Sequence, residues 1–211
     1  SALVGRNDYV ILDKEDHASI YDACRLSYGK LLRYEHNDME TLERCLQRVP
    51  ESAGALIVTD GLFSMSGDIA NLPEIVRLAK TYGARVMVDD AHGLGTLGKG
   101  GRGTPSHFGL EQEVDVYMGT FSKSLASLGG YMAGKSRIVD YVRHNSRPFI
   151  FSASVPPASC AAALAALNVL EEEPELPERL LRLSDFFREA LKQRGMSIRE
   201  SRTPIAVSYT H

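Results

Sequence analysis

Residues 71–92 read NLPEIVRLAKTYGARVMVDDAH, an amphipathic helical pattern followed directly by a short apolar run. Asn71 can cap the helix, and Glu74 three residues later completes a capping box. Gly83 suits the left-handed position that ends a helix. Residues 84–90 are apolar apart from Arg85 until two carboxylates end the run, which is typical of a strand covered on both faces. The stretch therefore predicts a helix packed on a buried sheet, its apolar face formed by Leu72, Ile75, Val76 and Ala79.

The same alternation continues on both sides of this stretch. Short β-branched runs bounded by polar residues or glycine predict further strands at residues 8–13, 54–61 and 114–119. Helical patterns occupy residues 38–49 and the alanine-rich segment from Pro156-Pro157 to about Glu173. A later helix ends near Gly195 and carries an apolar stripe of Leu180, Leu183, Phe187 and Leu191. Alternating strands and helices predict an α/β domain with a mainly parallel sheet flanked by helices.

The segment EEEPELPE, residues 171–178, interrupts the helical pattern and marks a domain boundary. We expect a large domain at residues 1–174 and the beginning of a smaller α+β domain at residues 175–211. The chain starts almost directly on a strand, and RESRTPIAVSYTH at its end predicts a new strand. These ends predict a piece of a longer protein.

Composition excludes several function classes. The chain has 211 residues, a net charge of -3, 44% hydrophobic and 24% charged residues, which is ordinary globular composition and not that of a nucleic-acid binder. We find no apolar run of membrane-spanning length and no signal-peptide pattern at the N-terminus. Three cysteines without a CxxC pair argue against a zinc site and fit a reducing cytoplasm.

A literal GxGxxG pattern, Gly93-x-Gly95-x-x-Gly98, follows the strand at residues 84–90, and Lys99 adds most of a P-loop. A P-loop needs Ser or Thr after its lysine, but Gly100 stands there. Both motifs also need a helix that starts at the glycines, and residues 98–109 are too rich in Gly and Pro for one. Asp89 and Asp90 would in addition repel a pyrophosphate. The acidic pair and His92 are therefore more informative than the glycines.

Polar side chains follow four predicted strands at the same end. His17 follows the first and Ser64 the second, and Asp89 with His92 and then Lys123 follow the next two. In an open α/β sheet, ligands bind beyond the carboxyl ends of the strands. Taken alone, Asp89 is explained as a turn cap and His92 as a loop histidine. Polar groups at the same end of four strands, however, favour a common site.

Lys123 lies in MGTFSKSLASLGGY, residues 118–131, among small residues: Thr120, Ser122, Ser124 and Gly129-Gly130. A surface lysine needs no such setting. A lysine that bonds covalently to a flat, phosphorylated cofactor does, because the ring needs room and its phosphate needs hydroxyl donors.

Six stretches in order resemble the α-oxoamine synthases, pyridoxal-phosphate enzymes of the aminotransferase fold (fold type I) that join an amino acid to an acyl-CoA. They are DHASIYDACRLS, RYEHNDMETLE, DGLFSMSGDIANL, VDDAHGLGTLGKGGRG, GTFSKSLASLGGY and FIFSASVPP, and they span nearly the whole chain. The resemblance implies a large cofactor-binding domain, a homodimer with a shared active site, and loss of CO2 and CoA in the reaction. The sequence around Lys123 and Ser64 resembles that of the serine palmitoyltransferase-like members, which favours serine as the amino acid.

The resemblance also implies roles for single residues. Lys123 would bond covalently to the cofactor and Asp89 would pair with its ring nitrogen. His92 and Ser64 would contact the phenolic oxygen, and Thr120 would bind the phosphate. His17 would stack on the ring and meet the substrate carboxylate.

Departures from the family leave two alternatives open. Asp60 and Ser66 stand where many relatives carry acidic residues, Glu in the first case, and we expect neither to touch the chemistry. A glycine-rich N-terminal part and the C-terminal domain with the arginine for the substrate carboxylate are not in this sequence. The alternatives are another activity of the same fold, such as an aminotransferase, or an inactive truncated chain.

Overall fold

A computed structural model describes residues 2–207. Over that range six strands form one sheet: β1 (Tyr9–Asp13), β2 (Lys30–Tyr34), β3 (Ala55–Asp60), β4 (Arg85–Asp89), β5 (Val116–Thr120) and β6 (Gly130–Gly134). Their order is β2-β1-β3-β4-β5-β6, with all pairs parallel except β5–β6. The predicted mainly parallel sheet is confirmed. The carboxyl ends of β1, β3, β4 and β5 meet at one edge.

Helices connect the strands and cover the sheet. They are α1 (Ala18–Arg25), α2 (Met39–Leu46), α3 (Leu72–Tyr82), α4 (Thr104–His107), α5 (Ser136–Asn145), α6 (Arg147–Phe151), α7 (Pro157–Glu172) and α8 (Leu176–Gln193). A 3-10 turn spans Lys99–Gly101. None of the helices within residues 2–207 is long and apolar enough to cross a membrane.

Both faces of the sheet are covered, as the continuous apolar strands predict. On one face, Ile57 and Val86 pack with Leu42 of α2 and Ile75 of α3, and all four are buried. On the other face, Val10, Leu12 and Val58 pack with Ile20 of α1. This two-sided core holds the central strands, and with them the strand ends, in a fixed arrangement.

For α3, the structure confirms the predicted apolar face and the predicted end at Gly83, but not the predicted N-terminal cap. Gly83 adopts the left-handed conformation, with φ of 67°, and its N–H bonds the last carbonyls of the helix. The Asn71 side chain makes no cap hydrogen bond: residue N2 is Pro73, which has no N–H, and the N–H of Glu74 donates to the Asn71 carbonyl instead. Glu74 pairs with Arg77 instead of reaching back to Asn71. The capping box is therefore wrong.

The C-terminal part departs from the sequence pattern in two ways. The α8 stripe was expected to be buried, but Leu183 is 61% exposed and Phe187 is 52% exposed. The buried α8 residues Ser184 and Arg188 bond to carbonyls of Pro204 and Thr203, so the helix packs on the chain end through polar groups. The strand predicted there does not form over residues 201–207. Residues 208–211 lie outside the described range.

Candidate active site

The carboxyl edge of the sheet holds a cavity of about 230 Å³. Each of the four central strands delivers part of its lining. The lining residues are His17, Ser19, Asp60, Asp89, Ala91, His92, Met118, Thr120, Ser122 and Lys123. The structure thus brings together five of the six residues that the sequence singles out. The sixth, Ser64, lies in the turn after β3 and is not among the lining residues.

Asp89 is the last residue of β4 and is 7% exposed. Its Oδ1 accepts a hydrogen bond from the Ala91 N–H at 3.1 Å. Burial raises the pKa of this carboxyl, while that hydrogen bond and the nearby Lys123 and His17 partly offset the rise. A buried carboxylate without an ion pair is costly, so this residue is suited to a cationic ligand group.

Lys123 lies in the loop between β5 and β6. Burial lowers the pKa of its ammonium, and the carboxylates of Asp89 and Asp60 oppose that shift. A lysine amine with a lowered pKa is neutral, and hence nucleophilic, over a wider pH range than a surface lysine.

His92 is half-buried near Lys123. Burial, followed by the positive charges of Lys123 and His17, lowers the pKa of His92 to about 4. Its ring is therefore neutral at physiological pH and can offer one donor and one acceptor.

His17 is the N-cap of α1. Its Nδ1 accepts a hydrogen bond from the Ser19 N–H at 3.2 Å and lies 2.7 Å from the Ser19 hydroxyl oxygen. These two contacts fix the ring at the mouth of the cavity, where its exposed face is free to meet a flat ligand.

Two hydroxyls lie side by side at the end of β5. Thr120 Oγ1 lies 2.8 Å from Ser122 Oγ and accepts the Ser122 N–H at 3.2 Å. Thr120 Oγ1 also donates to the Gly129 carbonyl at 3.1 Å, which closes the loop around Lys123. Gly129 has φ of 108°, and a Cβ on Gly130 would lie 2.6 Å from the Gly119 oxygen. These two glycines therefore allow the backbone segments to pass close to each other.

Asp60 was expected to stay away from the chemistry, and the structure corrects this. It is 5% exposed, lines the cavity, and lies near both Asp89 and Lys123. Burial, followed by the charge of Asp89, raises the pKa of Asp60 to about 7, while the facing His17 N–H and Lys123 lower it. The missed signal is its position, because Asp60 ends β3 just as Asp89 ends β4.

The glycine loop after β4 is built around one carboxylate. Asp90 is buried and accepts hydrogen bonds from the Thr104 hydroxyl and N–H at 2.6 and 2.8 Å. A Cβ on Gly93 or Gly103 would come within 2.0 or 1.8 Å of its oxygens. Its glycines therefore make room for Asp90, in line with the rejection of a nucleotide loop. The same loop sets the position of His92.

Comparison with known proteins identifies the family of the chain. The sequence profile of the family described as "Aminotransferase class I and II" matches residues 1–209. The chain is 52% identical to a serine palmitoyltransferase of Sphingobacterium spiritivorum over 205 residues, 97% of this chain and 51% of the relative. It is 50% identical to 8-amino-7-oxononanoate synthase 1 of Bacillus velezensis, over 97% of this chain and 52% of that one.

Solved structures share the fold. A serine palmitoyltransferase from S. paucimobilis with a bound PLP–myriocin aldimine has a TM-score of 0.95 and 38% identity, covering 100% of this chain and 55% of that one. The Sphingomonas wittichii serine palmitoyltransferase has a TM-score of 0.91 and 39% identity, covering 95% and 50%. The chain thus spans about half the length of the curated relatives it matches.

Proposed function

This chain belongs to the aminotransferase class I and II family, and within it to the α-oxoamine synthases, and from that premise we propose that it is the cofactor-binding core of a pyridoxal-phosphate acyltransferase. The reaction joins a small amino acid to an acyl-CoA. A carbon–carbon bond forms between the amino acid Cα and the acyl carbonyl carbon. The α-proton leaves before this bond forms and CoA departs as its thiol. The carboxyl group is then lost as CO2, and Cα takes up a proton in its place.

One observation carries the proposal: a lysine with a lowered pKa shares a single cavity with a buried carboxylate that forms no salt bridge within residues 2–207. The donor set fits pyridoxal phosphate. Lys123 offers an amine for covalent attachment, Asp89 a buried anion for the ring nitrogen, and the Thr120–Ser122 hydroxyl pair a place for the phosphate. When bound, the cofactor supplies an electron sink for a carbanion at Cα.

The residues around the cofactor then have distinct tasks. Asp89 would keep the ring nitrogen protonated through its opposite charge. Lys123 would hold the cofactor covalently and, whenever its amine is free, would take the α-proton at Nζ as a general base. His92 would offer its neutral ring to the phenolic oxygen, and His17 would stack on the ring and meet the substrate carboxylate. Ser64 is proposed as a second partner of the phenolic oxygen.

Further parts of the proposal concern the whole protein. Residues 1–174 belong to the cofactor domain and residues 175–211 begin a second domain. Two copies form a homodimer with a shared site, and the free thiols of Cys24, Cys45 and Cys160 support a cytoplasmic location. The amino acid is serine before glycine or alanine. The polar cavity, with hydroxyl donors at its mouth, is compatible with a hydroxymethyl side chain.

The deciding experiment compares two products. The cofactor-loaded protein is given serine with a long-chain acyl-CoA, or serine with a keto acid. We expect thiol release in the first mixture, detected with a thiol reagent, and no new amino acid in the second. Amino transfer without thiol release would instead favour an aminotransferase. Adding serine, glycine or alanine alone and following the cofactor spectrum ranks the amino acids.

A further inference from the structure

The cavity of Lys123 contains two buried carboxyl groups, and the proposed function uses only one of them. Asp89 is assigned to the ring nitrogen of the cofactor, whereas Asp60 has no task there. Asp60 ends β3, is 5% exposed and lines the same cavity. A buried carboxylate costs free energy unless its neighbours compensate for the lost water. The neighbours of Asp60 therefore indicate what this group can do.

Hydrogen bonds explain where Asp60 lies but not why it is an acid. The Asp60 N–H donates to Asp16 Oδ1 at 2.8 Å. The Asp60 carboxyl accepts the backbone N–H of His17. The first bond involves only the backbone of residue 60, and the amide oxygen of an asparagine could accept the second. Neither bond requires a negative charge at this position.

The charged neighbours of Asp60 include one favourable partner. Burial and the acidic neighbours Asp89 and Asp13 raise the pKa of Asp60, whereas the positive charge of Lys123 lowers it. Burial also raises the pKa of Asp16 to about 9, so that this neighbour is uncharged at neutral pH. Lys123 is thus the neighbour whose charge stabilises an Asp60 carboxylate.

Lys123 faces titratable groups from four elements. Burial lowers the pKa of its ammonium, and the carboxylates of Asp89 on β4 and Asp60 on β3 oppose that shift. His17 at the start of α1 and His92 of the glycine loop line the other sides of the cavity. In the proposed function the charge of Asp89 is compensated by the cofactor ring nitrogen. Asp60 is then the carboxylate that remains for Lys123.

We propose that Asp60 is the counter-ion of Lys123 and makes its amine a stronger base. The inference rests on the proposed function, in which Lys123 Nζ accepts the α-proton while the electron pair stays with Cα. Nζ becomes an ammonium by this transfer, and the Asp60 carboxylate stabilises the new positive charge across the cavity. Asp60 touches no reacting atom in this arrangement. It is a positioning residue that acts through Lys123.

The substitution Asp60→Asn tests the charge, because the amide keeps the shape of the side chain and an acceptor for the His17 N–H. Trinitrobenzenesulfonate reacts with neutral amines, and Lys123 is accessible to it in the cofactor-free chain. Mass spectrometry measures the labelling rate of Lys123 as a function of pH, with the exposed Lys99 as the internal reference. Without the carboxylate the ammonium is less stable, so the midpoint of this profile should move to lower pH.

The labelling rates distinguish a lost charge from a disturbed structure. At about pH 8, labelling of Lys123 in Asp60→Asn should be roughly threefold faster than in the wild type. The limiting rate at high pH should stay within about twofold of the wild-type rate, whereas greater exposure of the lysine would raise it. Asp60→Glu keeps the charge and should restore the wild-type midpoint. Asp22→Asn, at an exposed residue of α1, is the matched control and should leave the profile unchanged.

The cofactor-loaded chain should respond in the opposite direction. The Lys123 amine of Asp60→Asn is a weaker base, so exchange of the serine α-proton, followed by NMR, should slow about tenfold. Asp60→Glu should recover most of the rate, and Asp22→Asn should exchange at the wild-type rate. Circular dichroism checks that each variant is folded. If Asp60→Asn does not fold, Asp60→Ser, which also lacks the charge, replaces it with the same expected results.

The outcomes separate this inference from the proposed function. An unchanged labelling midpoint in the folded, uncharged variant overturns the role of Asp60, and α-proton exchange by the wild type would still support the proposed function. Failure of Asp60→Glu to restore the midpoint also overturns that role. If the wild type binds the cofactor but exchanges no α-proton, the proposed function fails. The labelling midpoint of the cofactor-free chain then still decides whether Asp60 sets the basicity of Lys123.

Discussion

Asp60 and Asp89 lie directly opposite each other as cross-strand partners at the carboxyl ends of β3 and β4, and both residues line the cavity of Lys123. The carboxylates of two such neighbouring residues repel each other when both are ionised. The pair therefore holds fewer negative charges at neutral pH than two exposed aspartates would. A cationic group of a ligand between Asp89 and Lys123 would relieve that repulsion.

Borohydride reduction of the cofactor-loaded protein is expected to fix the cofactor on Lys123, because this is the lysine that lines the cavity. Peptide mapping by mass spectrometry identifies the labelled residue. Lys123→Ala should abolish both labelling and turnover, while noncovalent binding persists. Lys99→Ala, at an exposed lysine of the glycine loop, is the control and should label normally. Label on any other lysine would sink the assignment.

Asp89→Asn keeps the shape of the side chain and removes its charge. The ring nitrogen should lose its proton, and exchange of the amino acid α-proton should slow roughly a hundredfold or more, since each ~1.4 kcal/mol of lost stabilisation is about tenfold in rate. Proton exchange followed by NMR measures the effect. Asp22→Asn, on the exposed face of α1, should exchange at the wild-type rate. Near-normal exchange in Asp89→Asn would refute the role.

Stability should fall as the pH rises from about 4 to 9. Burial raises the pKa of Asp90, Asp60 and Asp16 to about 6, 7 and 9, so each of these carboxyls keeps its proton in the folded chain to a higher pH than in the unfolded chain. His92, whose pKa is lowered to about 4, acts in the opposite direction below its ordinary value of 6.5, but the three carboxyls outweigh it. The part of the unfolding free energy that depends on these protons is fully present below the pKa of aspartate in the unfolded chain. It is lost as the pH rises through the pKa of each aspartate in the folded chain. Urea unfolding of the cofactor-free chain at several pH values measures the slope.

Asp60→Asn tests the contribution of one carboxyl to that slope. The amide does not titrate, so the loss of unfolding free energy between pH 4 and 7 should become shallower. The exposed-site variant Asp22→Asn should leave the slope at its wild-type value. Wild-type stability that increases steadily from pH 5 to 8 would contradict the protonated state of these buried groups.

Gly103→Ala should destabilise the chain strongly, because its Cβ would lie 1.8 Å from an Asp90 oxygen and break the bond to Thr104. Gly109→Ala is the matched control, with φ of 66° and no atom within 4 Å of the added Cβ. We expect about 1 kcal/mol for the backbone strain at Gly109 and roughly 2–4 kcal/mol more at Gly103. Urea midpoints compare the two, and equal losses would disprove the packing of the loop around Asp90.

Assembly provides a further prediction. The segment after α5 exposes Phe149 and Phe151, and Ser152 and Ser154 follow them on the surface. In the proposed homodimer one of these serines lies near the partner's cofactor phosphate. Phe151→Asp should produce monomers in sedimentation experiments and reduce cofactor affinity. Glu189→Lys, at an exposed residue of α8, should remain dimeric. A wild-type monomer that binds cofactor and turns over would contradict the shared site.

The central sheet could be predicted from the sequence because its strands are short, apolar and β-branched. Two strands escaped that reasoning. The strand β2 is KLLRY at the sheet edge, where three of its five residues are exposed, so it shows no apolar run. The strand β6 is GYMAG, whose glycines indicate a loop by composition. Each forms because a neighbouring strand supplies its hydrogen bonds, which local sequence does not encode.

The candidate site was predictable from the sequence only where its residues follow a predictable strand. His17, Asp89, His92 and Lys123 follow strands whose direction and adjacency the pattern indicates. Asp60 was not predicted as a site residue, because the sequence argument treated it as a replacement of the family's glutamate and not as the last residue of a strand.

The common register of β3, β4 and β5 decides which changes of chain length the protein can survive. Asp60, Asp89 and Met118 stand at one level across three strands. Successive side chains of a strand face opposite sides, so deleting one residue inside β4 would turn Asp89 out of the cavity and pull Asp90 to its level, away from Thr104. A turn with open space around it, such as the one at Gly109, does not restrict the chain length in this way. Insertions and deletions among homologous chains should therefore concentrate in those turns and spare the strands.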